Sequence, residues 1–370
     1  MNKIIYLDAA ASSLKSDAVI DAETDFLRYH YANAGRGICA RAAAVDDMVC
    51  ASRRAVADFI NAASEQIVFT SGATDGLNRA QRIICGTLRR DLRVAVSDLD
   101  HHSARLPWVA AARRGECSIE ILPLDENFNI DVDKIPYADV IVITAMSNVF
   151  GVAQDVAAIV RIAREKNPDV VVVVDAAQYV AHGAIDAAAW NADFICFSGH
   201  KIGADTGIGI MYVQDPTRWT PDKFGGGMIN KIDGDTWVYN AAPECFEAGT
   251  LPLTQIAGLK PAIGAWRADA GADVMRWLYD GLRLNPKIQI CTAPDAAVLT
   301  FLTPGMHVLD FGARVGARGV CMRVGNMCAS WAMNLIGAGA GGAARLSAGA
   351  WNTVADADKT IEIINQVLDK

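Results

Sequence analysis

The sequence predicts an α/β fold: a large lobe on a mainly parallel, doubly wound sheet, followed by a smaller α+β lobe. Short β-branched runs recur through the first two-thirds of the chain, and most are apolar throughout rather than alternating, as strands covered on both faces are. Helix-length segments separate them, which is the rhythm of strand–helix–strand crossovers. Near residue 263 the texture changes to shorter runs and a closing amphipathic helix.

In chain order, EQIVFT (65–70), RVAVSD (93–98), DVIVITA (139–145), the valine run 169–177, DFICFS (193–198) and GIGIMYV (207–213) read as strands. DGLNRAQRIICGTLRR (75–90) and DVAAIVRIAREKN (155–167) read as helices between them. We place the large lobe at 1–262 and the small one at 263–370. The small lobe opens on a single helix-like stretch, AIGAWRADAGADVMRWLYDGLR, and closes on the helix DADKTIEIINQVLDK. GAGAGGAA (337–344) reads as a flexible connector. Functional groups of such a fold gather beyond the carboxyl ends of its strands.

Composition narrows the function. With 370 residues, 52% of them apolar, the chain can bury a large core. A net charge of −8 argues against a nucleic-acid partner. No apolar run is long enough to cross a bilayer, so no membrane partner is expected, and the start MNKIIYLDAA lacks the pattern of a secretory leader. Nine cysteines without a CxxC pair read as reduced thiols of a cytoplasmic protein, most of them small core residues.

Chemistry concentrates at strand ends. CFSGHKIGADTGIGIMYV (196–213) sets Lys201 between an apolar strand and glycines, where an unpaired ammonium costs several kcal/mol to bury. Its amine therefore reaches solvent or is chemically occupied. FTSGATDGLN turns through Ser71 and Gly72 into a helix starting near Ala73 and Thr74. Such a helix start suits a phosphate, although an ordinary N-cap reads the same way. Asp175 follows the valine run, as a loop cap or as the partner of a buried cation. His101 and His102 follow another strand in tandem; adjacent side chains diverge, so no metal site is expected there. Asn148 sits in SNVFG, a turn by its bland reading. A lysine held in a Schiff base to pyridoxal phosphate, an aspartate at the pyridine nitrogen, a helix end for the phosphate and an imidazole on the ring face together fill every role that this cofactor needs.

These residues resemble a known family. DAAQ (175–178), FSGHKIGADTGIGIMYV (197–213), FGGGMI and FEAGT are similar to the class V aminotransferase group of pyridoxal-phosphate enzymes, fold type I, and within it to the SufS-like (group II) cysteine desulfurases. The similarity runs almost end to end. It implies a seven-stranded sheet in the large lobe and conversion of L-cysteine to L-alanine, with sulfur left as a persulfide. By the same resemblance Lys201 would carry the cofactor, Asp175 would pair with the pyridine nitrogen, Gln178 would bond the ring oxygen, and His101 would stack on the ring and assist proton transfer. Ala73, Thr74, Ser198 and His200 would hold the phosphate. Thr250 would reach the phosphate of a neighbouring subunit, which implies a homodimer with shared sites. Asn148 would sit near the substrate carboxylate and Arg345 would clamp it, with Arg36 and Arg323 close to the substrate. MRVGNMCASW (322–331) matches the family's Arg-x-Gly-x-x-Cys-Ala element, so Cys328 would take the sulfur and pass it to an acceptor protein, whereas Cys321, in an apolar stretch, is expected to be buried.

The chain departs from the family's pattern at several points. Asn326-Met327 stands where two histidines are usual, Gly35 and Cys39 replace the histidines flanking Arg36, and Ala73-Thr74-Asp75 replaces Thr-Thr-Glu. These changes leave open a second reading, a selenocysteine lyase, another C–S lyase or an epimerase on the same cofactor. A scaffold without chemistry is a third reading, against which Lys201, Asp175, His101 and Arg345 stand together.

Overall fold

The structure, a computed structural model, describes residues 4–35, 37–88, 91–268 and 270–369. Strand β1 (Ile5–Tyr6) lies outside the main sheet. The next seven strands, β2 (Ile67–Thr70), β3 (Leu92–Ser97), β4 (Cys117–Leu122), β5 (Val140–Thr144), β6 (Val171–Asp175), β7 (Phe194–Ser198) and β8 (Gly209–Val213), form one sheet in the spatial order β2-β8-β7-β6-β5-β3-β4. β8 runs antiparallel to both β2 and β7, and every other pairing in the sheet is parallel.

The valine-rich sequences explain this arrangement. Successive residues of a strand point to opposite faces, so a strand buried on both sides must be apolar at every position. Val171 and Val173 pack into one core with Val94, Val140 and Trp108. Val172 and Val174 pack into another with Ile141, Ile159 and Ile256. Helices Ala73–Thr87 and His102–Arg113 pack into the first core, and helices Ala40–Phe59, Val156–Lys166 and Leu253–Ala265 into the second.

Past β8, strands β9 (Ile229–Asp233) and β10 (Thr236–Tyr239) make a separate antiparallel hairpin. The C-terminal part holds β11 (Gln289–Ile290), β12 (Leu299–Leu302), β13 (Val320–Cys321), β14 (Arg323–Gly325) and β15 (Ala343–Leu346). Four of these form an antiparallel sheet in the order β11-β12-β15-β14, whereas β13 pairs in parallel with β1. Ile5 and Leu7 accordingly pack into the core built by helices Ala272–Leu282, Val308–Gly316 and Val354–Leu368.

Two local expectations are corrected. The stretch 262–283 is two helices, Leu253–Ala265 and Ala272–Leu282, separated where Gly271 takes a left-handed φ of 86° as the second helix's cap. The connector 337–344 ends inside β15, because Ala343 and Ala344 are fully buried in the sheet.

A buried ion pair fastens the N-terminal helices to the segment bearing FEAGT. Arg53 donates to both carboxylate oxygens of Glu247, at 2.7 and 2.8 Å, and to the Ile67 carbonyl at 2.6 Å. Glu247 in turn accepts the Phe69 N–H at 2.7 Å. Removing one member of such a pair strands the other charge. Arg53→Ala is expected to lower the unfolding free energy by about 3–5 kcal/mol, read from urea titration. The paired replacement Arg53→Met with Glu247→Leu should cost clearly less.

Candidate active site

Strands β2, β3, β5, β6 and β7 run in one direction, so their carboxyl ends meet along a single edge of the sheet. Thr70, Ser97, Thr144, Asp175 and Ser198 close those strands. A cavity of about 300 Å³ opens there, with Thr144, Asp175, Gln178, Ser198 and Lys201 on its floor and Ala73, Thr74 and His101 at its side. The start of helix Ala73–Thr87 reaches it because Gly209 presses on the backbone of Gly72, where a Cβ would come within 2.4 Å of Cα. The same approach lets Ala73 N–H donate to Ser198 Oγ at 2.8 Å.

The opposite wall comes from the C-terminal sheet. Arg345 on β15 and Arg323 on β14 stand directly across from each other in register. Asp8, just after β1, takes one arginine on each oxygen: Arg323 at 2.8 Å and Arg345 at 3.3 Å. Arg345 also donates to the Asn148 carbonyl at 2.8 Å. The turn after β14 brings Met327 and Cys328 to the rim, both in left-handed backbone. At its base a Cβ on Gly342 would meet the Gly325 carbonyl carbon at 2.2 Å, so only glycine lets the two chain segments touch.

Burial shifts the protonation of several groups at the cavity. Lys201 Nζ donates to the Ala10 carbonyl; burial and then the Arg345 charge pull its amine down to about 8, against the attraction of Asp175 and Asp8. Burial pushes the Asp175 carboxyl up to about 6, offset by the Ala177 N–H and by Lys201. His101 caps its helix through Nδ1, which accepts the Ser103 N–H at 3.2 Å, and burial with the charges of Lys201, His102 and Arg345 lowers it to about 4. It is therefore a neutral imidazole at pH 7. Fully buried Asp100 accepts Thr144 Oγ1 at 2.7 Å and the Ser97 N–H at 2.8 Å, and burial raises it to about 7.

Of the residues singled out in the sequence, Ala73, Thr74, His101, Asn148, Asp175, Gln178, Ser198, His200, Lys201, Arg323, Cys328 and Arg345 line this one cavity. Thr250 is exposed and does not line it. Arg36 lies outside the described residues. Cys321 is exposed, contrary to expectation: on the two-residue β13, Val320 points inward and Cys321 outward. Most cysteines are likewise not core residues, since Cys196 and Cys245 alone are buried. Sequence reasoning missed Asp8, Ala10, Thr144 and Asp100. Each follows or ends a strand, which was the available signal.

The cavity fits pyridoxal phosphate. Four buried polar atoms on residues that line it lack partners: Gln178 Oε1, His200 Nδ1, Asn148 Oδ1 and Arg345 Nε. Buried polar atoms without partners are rare, and a polar ligand would satisfy them. The first-turn N–H groups of helix Ala73–Thr87 suit a phosphate, and Asp175 and Lys201 are the acid and amine that a pyridine aldehyde requires.

Residues 5–360 match the family model described as aminotransferase class-V. This chain belongs to that family. Its members depend on pyridoxal phosphate, and the fold is their type I fold. The chain is 32% identical to the probable cysteine desulfurase of Pseudomonas putida, over 98% of this chain and 94% of the relative. It is 33% identical to a cysteine desulfurase of Klebsiella pneumoniae, over 88% and 84%. The crystal structure of the cysteine desulfurase CsdA from Escherichia coli superposes with a TM-score of 0.90 at 28% identity, covering 99% of this chain and 95% of that one.

An amine reacts only when deprotonated, so Lys201 of the cofactor-free protein should be acylated with a midpoint near pH 8, as its lowered value of about 8 implies. An ordinary exposed lysine reaches that midpoint at about pH 10.4. Arg345→Ala removes a charge that lowers Lys201, so the midpoint should move up. Peptide mass spectrometry across a pH series reads both.

Proposed function

We propose that this chain is a pyridoxal-phosphate-dependent cysteine desulfurase that converts L-cysteine to L-alanine and leaves a persulfide on Cys328. The observation that carries the reading is a thiol, Cys328, on the wall of the cavity that also holds Lys201, Asp175, His101 and Arg345.

When bound, pyridoxal phosphate supplies an aldehyde for the amino group and a ring that withdraws electrons from the substrate carbon. The chain supplies the rest. Arg345, already steered by Asp8 and the Asn148 carbonyl, binds the substrate carboxylate through its guanidinium. Lys201, poised near neutrality, anchors the cofactor and exchanges protons at Nζ. Asp175 would hold a positive charge at the ring nitrogen, and a cation there would return its carboxyl to the ionised form. Gln178 would bond the ring oxygen, His101 would lie on the ring face, and Ala73, Thr74, Ser198 and His200 would hold the phosphate.

The Cys328 thiolate attacks the substrate sulfur. The S–S bond forms as the C–S bond breaks, the electron pair passes to carbon, and protonation there gives alanine. Arg323, on the strand that leads into the Cys328 turn, lines the same cavity and is paired to Asp8. The sulfur then leaves Cys328 for an acceptor protein or a reducing thiol.

We also propose a homodimer in which Thr250 serves the partner's cavity. Support comes from the exposure of Thr250 and from uncovered apolar side chains at Leu27, Tyr29, Tyr31 and Ile38. Arg36, outside the described residues, is assigned to the substrate entrance by the family resemblance alone. We also propose the division into 1–262 and 263–370, which falls within helix Leu253–Ala265, with β1 paired to β13 across it. We assign the protein to the cytoplasm because its cysteines are all unpaired thiols.

Cys328→Ala should still bind the cofactor, with an unchanged visible spectrum, and release no alanine from L-cysteine. Undiminished desulfuration would reject the assignment of Cys328. Mixing inactive Lys201→Ala with inactive Thr250→Ala protein and allowing subunits to exchange should restore part of the activity, because one composite site per heterodimer is intact.

A further inference from the structure

The tandem histidines diverge. His101 lines the cavity, and His102 turns to the loop that carries Cys328. The His102 backbone N–H donates to the Cys328 carbonyl at 2.7 Å. Its ring Nε2 accepts the Ser330 N–H at 3.3 Å and lies 3.1 Å from Ser330 Oγ. In this contact Nε2 is the acceptor, and the Ser330 hydroxyl lies within reach of the same atom. The ring also meets Trp331 edge to face, with centroids 5.5 Å apart. Arg105 covers Trp331 at 4.2 Å and is itself paired to Asp98.

The loop is held from its other side as well. Asn148 Nδ2 donates to the Met327 carbonyl at 2.9 Å, and the Met327 side chain is buried among Leu99, Val149 and Phe150. Between these anchors, Met327 and Cys328 have φ of 49° and 53°. Two consecutive non-glycine residues in the left-handed region do not stay there by local preference; surrounding contacts must impose it.

We infer that His102 is a positioning residue which, through Ser330 and the Cys328 carbonyl, holds the Cys328 loop in the bend that presents the thiol to the cavity. The inference rests on the assignment of Cys328 as sulfur acceptor. It also explains the tandem: one imidazole for the cavity, its neighbour for the loop.

The test uses the cofactor-loaded enzyme and the variants His102→Ala, His102→Asn, His102→Gln and Cys328→Ala. Glutamine can extend an acceptor oxygen about as far as ring Nε2, whereas asparagine ends near Nδ1. His102→Ala and His102→Asn are expected to lower kcat for alanine release about tenfold or more, with KM within about twofold of wild type and the visible spectrum unchanged. His102→Gln should recover most of the loss. Amide exchange of the peptide spanning 328–331 should be about tenfold faster in the first two variants and restored in the third. A wild-type kcat in His102→Ala and His102→Asn overturns the inference. So does a loss that glutamine fails to rescue, or one accompanied by loss of the cofactor spectrum. Full activity of Cys328→Ala would remove the assignment on which the inference rests; an inactive Cys328→Ala beside fully active His102 variants would overturn the inference alone.

Discussion

Lys201 carries its amine into the cavity, and its one hydrogen bond among the described residues is to the Ala10 carbonyl. Burial and the Arg345 charge both work against its ammonium form, while Asp175 and Asp8 work for it. A buried charge without a matched partner is disfavoured by several kcal/mol. The balance struck here brings the amine down to about 8 and the opposing acid up to about 6, so both change charge close to neutral pH. The unsatisfied atoms of Gln178, His200, Asn148 and Arg345 express the same constraint. The site is an incomplete polar network that a charged, polar ligand completes.

The N-terminal segment makes that network possible by joining the two halves of the molecule. β1 pairs with β13, Ala9 and Ala10 bond Ser347, and Ser13 donates to the His200 carbonyl, all within the first thirteen residues. The same stretch provides Asp8 to both arginines and Ala10 to the lysine. The carboxylate-binding wall on β14 and β15 is thereby fixed against the strand ends that carry Lys201 and Asp175. This short strand and the turn after it act together with the Asn148 and His102 contacts to the C-terminal part to set the geometry across the lobes.

Much of this was legible from residue order. Strands buried on both faces cannot hide their apolar continuity, and polar residues at their ends stand out against it; Asp175 and Lys201 were found that way, whereas Ser198 came from the family resemblance. Asp8 was not, because its partner Arg345 lies 337 residues away and no local pattern announces the pair. Asp100 sits three residues beyond β3, where a loop acid is ordinary; burial against Thr144 makes it unusual. Ala343 and Ala344 looked like linker because small residues suit both linkers and crowded sheets. Cys321 looked buried because its neighbours are apolar, but strand alternation on β13 turned it outward. Where the outcome depended on a side chain's direction or on a distant partner, composition was silent.

The claim beneath these readings is that the Lys201 amine attaches an aldehyde cofactor within this cavity. The most direct measurement is to load the purified protein with pyridoxal phosphate, reduce it with borohydride, digest it and sequence the labelled peptide by mass spectrometry. The expected result is one pyridoxyl-phosphate adduct, on Lys201, absent when Lys201 is replaced by alanine. An adduct on another lysine, or none at all from protein that remains folded, would contradict it.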